Sequence, residues 1–106
     1  MGLEEIGLDS FKPYTDSEFQ VLDDPSVPFD IKLVEVSDRG SSLRQEVFAL
    51  LFNGPAAHFM KQGIHRLSHS GLGELQLFLV PVGQDEQGFQ YEAVFNRLVS
   101  VGKKEA

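Results

Sequence analysis

Six short runs of this chain carry strand signals, and turn chemistry separates them roughly every 10–15 residues. The cleanest is Phe89–Asn96, where Phe89, Tyr91, Ala93 and Phe95 share one face and Gln90, Glu92 and Asn96 lie mostly on the other. A period of two is the mark of a half-buried strand, because successive side chains point to opposite faces. Ser17–Leu22, Phe29–Val36, Ile64–His69 and Leu75–Val82 read the same way. Between them stand DDPSVP (Asp23–Pro28), SDRGSS (Ser37–Ser42), SGLG (Ser70–Gly73) and QDEQG (Gln84–Gly88). In Phe29–Val36 the pattern slips by one residue after Leu33, which predicts a β-bulge or a bend.

The stretch LRQEVFALLFNG reads two ways. Ser42 and Gln45 have capping-box spacing, and Leu43, Val47, Leu50 and Leu51 recur at helical spacing. Phe48, Leu50 and Phe52 also alternate with Val47, Ala49 and Leu51, as in a strand buried on both faces, and periodicity does not decide between them. GPAAHFMKQG, Gly54–Gly63, has proline and glycine where a helix of one or two turns begins and ends.

At 106 residues and 42% apolar content, one domain with a true core is expected. Residues 1–14 read as an N-terminal arm, 15–99 as the β domain and 100–106 as a polar tail. The absence of cysteine excludes disulfides, thiolate metal sites and cysteine nucleophiles. No run of about 18 apolar residues occurs, and MGLEEIGLDS lacks the basic start of a signal peptide. A cytoplasmic protein is expected, with an exported particle component left open. The net charge of −7 resides in residues 1–40, which hold ten acidic and three basic residues. That balance argues against nucleic acid and anionic membranes as partners.

Three segments carry a resemblance: LLFNGP (Leu50–Pro55), QGIHRLSHSGLGELQLFLVPVG (Gln62–Gly83) and YEAVFN (Tyr91–Asn96). In order and spacing they resemble an uncharacterised bacterial family of stand-alone domains of about a hundred residues. His65 stands where that pattern has tyrosine. The resemblance implies a small antiparallel β-barrel-like domain and implies that Glu46–Asn53 is a strand. It implies no activity; a setting beside phage-tail-like particles is its only functional hint. The resulting expectation is an all-β, six-stranded antiparallel barrel or sandwich with a short helical turn and an N-terminal arm.

Catalytic and metal chemistry find little support. His65 and His69 lie four residues apart, about 13 Å along a strand, too far to share a metal. Asp23–Asp24 and Asp85–Glu86 fall in turns and read as solvated residues. Glu74 and Glu92, on neighbouring strands, are the pair with the carboxylate chemistry of glycoside hydrolysis, but such a pair is common on an exposed face. There is no G-x-S-x-G elbow, phosphate loop or dinucleotide fingerprint. No catalytic residue, cofactor or metal is expected.

The remaining anomaly is LQLFLVPV, Leu75–Val82. Leu75, Leu77 and Leu79 suit a barrel interior, yet Phe78, Val80 and Val82 on the other face are apolar too, and Pro81 interrupts the run. Exposing Phe78 and Val80 forgoes about 1.5–3 kcal/mol each. Val94 shares that face, and Val34 and Val36 are further candidates for it. Cover from Ile6, Leu8 and Phe11, or from Leu98, Val99 and Val101, is one expectation. Cover by a protein partner or a second copy is the functional one, with Phe78, Val80, Val82 and Val94 as its interface. Proline lacks the N–H of a ladder bond and marks an edge or a bulge. The alternative is a small-molecule carrier whose apolar pocket takes polar contacts from Tyr91, His65 and Arg66.

Overall fold

The computed structural model describes residues 8–23, 26–40 and 45–98. A short helix α1 (Leu8–Phe11) and a 3-10 turn (Lys12–Tyr14) lead into β1 (Glu18–Val21), β2 (Phe29–Asp38), β3 (Gln45–Pro55), β4 (Gly63–His69), β5 (Gly73–Asp85) and β6 (Gly88–Leu98). The strands form a closed antiparallel barrel in the order β1-β2-β3-β6-β5-β4, and the β1–β4 pairs Gln20↔Ser68 and Val21↔Leu67 close the ring.

The stretch around Glu46–Asn53 is strand: all of Gln45–Pro55 pairs with β6. Burial on both faces made its periodicity ambiguous, since Phe48, Leu50 and Phe52 are buried inward while the intervening Ala49 is also buried. The register slip in β2 is a bulge. Leu33 faces Phe52 and Glu35 faces Leu51, so Val34 is the extra residue and Val36 returns to the core instead of joining the outer face.

Inside the ring Phe19, Ile31, Leu33, Phe48, Leu50, Phe52, Leu67, Leu77, Leu79 and Tyr91 are fully buried. Phe19 meets Phe52 edge-on at 5.3 Å, and Phe48 stacks on Phe95 at 4.7 Å. One end is plugged by Phe11, which lies 6.0 Å from Phe48 and 5.8 Å from Phe95. Phe11, assigned to the arm from sequence, is therefore part of the core. Ile6, Val99 and Val101 lie outside the described residues.

The other end is crossed by residues 56–62, where the sequence predicts a helix. None forms there: β3 continues through Pro55, which pairs with Gly88, and a turn follows in which His58 N–H donates to the Pro55 carbonyl. The helical turns lie at Leu8–Tyr14 instead. The crossing segment is anchored from within, since Met60 N–H donates to Tyr91 Oη at 2.9 Å. The Tyr91 ring runs over Gly54, where a Cβ would sit 3.0 Å from the ring and from Ile31. Glycine at 54 makes room for that close approach.

Candidate interaction face

β5 alternates as its sequence predicts. Leu75, Leu77 and Leu79 are buried, Phe78 is exposed and Val80 is half-buried. The register with β6 shifts between Pro81 and Gly83, so Val82 is the extra residue of a bulge and turns to solvent. Pro81 sits where a bulged ladder tolerates the missing N–H.

The two strands pair only from Val80↔Glu92 to Asp85↔Gly88. Before Val80, β5 pairs with β4 alone among the described residues, and after Glu92, β6 pairs with β3 alone. The seam between these stretches holds a cleft of about 360 Å³. Gln76, Phe78 and Ile64 form one bank, Ala93, Val94 and Phe95 the other, and Leu77 lies between them. Ile64 pairs directly across from Phe78. Ile64 is 68% exposed, Val94 58% and Phe78 51%, so the apolar lining of this cleft faces outward.

Of the four residues singled out from sequence, Phe78 and Val94 meet at the cleft, Val80 adjoins it, and Val82 is carried away by the bulge. Ile64 was missed. It lay on the outward side of its run, but only the β4–β5 register shows that it faces Phe78.

Two glutamates near this face are paired with arginines. Arg39, just beyond β2, reaches across β3 to Glu92 on β6 at 2.8 Å. Arg66 lies 3.4 Å from Glu74. Glu74 and Glu92 stand about 20 Å apart along the strands by residue spacing, each with its own arginine, which is not a catalytic carboxylate pair.

The two β4 histidines have opposite surroundings. His69 is buried, its Nδ1 accepting from Gly71 N–H at 2.9 Å and Leu72 N–H at 3.2 Å. The proton of the neutral ring therefore sits on Nε2, which donates to Ser17 Oγ at 2.8 Å. Burial lowers its pKa. The ring lies against Tyr14 and Phe19, so it is a packed core group.

His65 stands at the mouth, with Nδ1 against Asp23 Oδ2 and Nε2 at 2.7 Å from the Lys61 carbonyl. Asp23 Oδ1 also accepts from Arg66 N–H at 2.9 Å. Asp23 thus fastens the β1–β2 turn to β4 and is not merely solvated. Burial raises its pKa, but the hydrogen bonds from His65 and Arg66 and their positive charges outweigh that and leave it lowered.

Tyr91, His65 and Arg66 do not converge. Tyr91 is sealed beneath Met60, and burial raises its pKa against the opposing bond from Met60 N–H. His65 borders an open cleft of about 480 Å³ with Phe29, His58, Phe59 and Lys61. Arg66 lies over the outer surface with Glu74. Among the described residues no three potential metal ligands cluster, and no helix is long and apolar enough to cross a membrane.

Fold and face together define a small closed antiparallel β-barrel with one split seam and an apolar outer patch. The chain belongs to the DUF6916 family, described as a domain of unknown function, which it matches over residues 6–95. No curated protein and no solved structure matches it.

Proposed function

We propose that this chain is a non-enzymatic protein-interaction or assembly module of the cytoplasm that takes its partner on the outer face of β4, β5 and β6. One observation carries the reading: Ile64, Phe78 and Val94, three large apolar side chains more than half exposed, gather at the cleft where β5 parts from β6. Contiguous exposed apolar surface is costly for a free chain and is the usual mark of an interface. Glu92 and Glu74 beside it are each paired with an arginine, so a partner need not desolvate either as a lone ion.

The test uses the full chain as bait in extract from the cells that make it, with the double variant Phe78→Glu/Val94→Glu as comparison and Val27→Glu as control. Val27 is exposed at the far end, on the cleft that also holds His65. A partner retained by the wild type and Val27→Glu but lost by the double variant is the expected result. Equal capture by all three baits, from a double variant that unfolds as the wild type does, would contradict the reading.

A further inference from the structure

We infer that the seam receives an extended, uncharged apolar strand, donated by another protein and hydrogen-bonded along β5 between Gly73 and Leu79, on the edge that no described residue pairs. The inference rests on the interaction reading above and specifies its occupant.

The backbone supplies the first argument. In a strand, N–H and C=O groups point alternately to the two neighbours, so a strand paired on one side leaves half of them for the other. β4 satisfies one side of Gly73–Leu79; on the other, no described residue continues the ladder. β6 presents a second such edge after Glu92. Open edges recruit strands, with main-chain bonds giving affinity and side-chain pockets giving selectivity.

The side chains supply the second. The cleft beside the β5 edge is walled by Phe78, Val94 and Phe95, with Leu77 at its base. A strand laid along it places every other residue against apolar walls. The barrel's own plug does not take this place, since Phe11 packs against Phe48 and Phe95.

Charge selects the occupant. Glu92 and Glu74 are paired with Arg39 and Arg66, so an uncharged segment disturbs neither pair. A second copy would bring −7 against −7, which opposes self-association.

The probe is a synthetic peptide of alternating valine and threonine with a lysine at each end, titrated into isotope-labelled full chain and followed by amide NMR. A control peptide replaces the central valine by proline. The expected result is saturable shifts confined to residues 73–79 and 93–96, with at least tenfold weaker binding of the proline peptide and of the Phe78→Glu chain. Val94→Ser serves as a milder variant should Phe78→Glu lose the fold.

Shifts centred on Phe59 and His65, equal binding of the proline peptide, or no saturable response would overturn the inference. So would a Phe78-dependent dimer, seen by sedimentation, that the peptide does not displace. If the bait experiment still yields a partner lost in Phe78→Glu/Val94→Glu, the strand mode alone has failed. If no such partner exists either, the interaction reading fails with it.

Discussion

β6 has one finished edge and one unfinished edge. Toward β3 it pairs without interruption over eleven positions, from Gln45↔Leu98 to Pro55↔Gly88. Toward β5 it pairs at five, with a bulge among them. The finished side has Phe48, Leu50 and Phe52 packed inside, small buried Ala49 among the intervening positions, and the Arg39–Glu92 ion pair bridging its neighbours. The unfinished side sets Phe78 and Val94 in water beside an open cleft. One strand thus anchors the barrel through one neighbour and offers surface beside the other. Apolar residues on two faces of a strand therefore mean different things in β3 and β5: core in the first, available surface in the second.

That contrast is easiest to break by truncation. Phe52→Ala on the finished side should cost about 3–5 kcal/mol of unfolding free energy, by loss of burial and creation of a cavity. Phe78→Ala on the open side should cost less than about 1 kcal/mol, because half of that side chain is already solvated. Urea denaturation of both variants measures the difference, and equal losses would erase the distinction.

Tyr91→Phe sharpens the same point at the sealed mouth. It leaves the ring in place but strips the acceptor from Met60 N–H, for an expected loss of about 1–3 kcal/mol by urea midpoint. A neutral result would mean that the 56–62 crossing holds without this anchor.

His69 predicts a pH dependence from the plugged end. The folded pKa of His69 lies below its ordinary 6.5, so the unfolded chain takes up that proton first. Its contribution is complete above about pH 6.5 and falls away as the pH drops toward the folded value. Asp23, lowered from 3.8, acts in a separate window, contributing above that value and losing its contribution below it. Urea midpoints between about pH 7.5 and about pH 5.5 should decline in the wild type, with a shallower decline in His69→Gln. The smallest effect belongs to Arg39→Ala, about 0–1 kcal/mol, since the ion pair is partly exposed.

Much of this architecture was legible in the residues. The Phe29–Val36 slip and Pro81 each marked a bulge, because a one-residue shift and a missing N–H are local facts. The alternation in Leu75–Leu79 and Phe89–Phe95 assigned the interior correctly. What stayed hidden depended on register and on distant contacts. Ile64 joined the patch only once β4 was set against β5. Gly54–Gly63 carried helix-end residues, yet Pro55 was claimed by pairing with Gly88 and Met60 by Tyr91. Asp23 resembled an ordinary turn acid because its partners, His65 and the Arg66 amide, lie more than forty residues away. The separation of β5 from β6 has no local signature at all, since both strands alternate regularly through it.

Amide hydrogen exchange on the full chain tests that separation most directly. Alternate amides within Gly73–Leu79, those pointing toward β6, should exchange at least tenfold faster than the amides of β3 that pair with β6. Uniformly slow exchange across Gly73–Leu79, matching β3, would show the seam to be closed and would contradict the account.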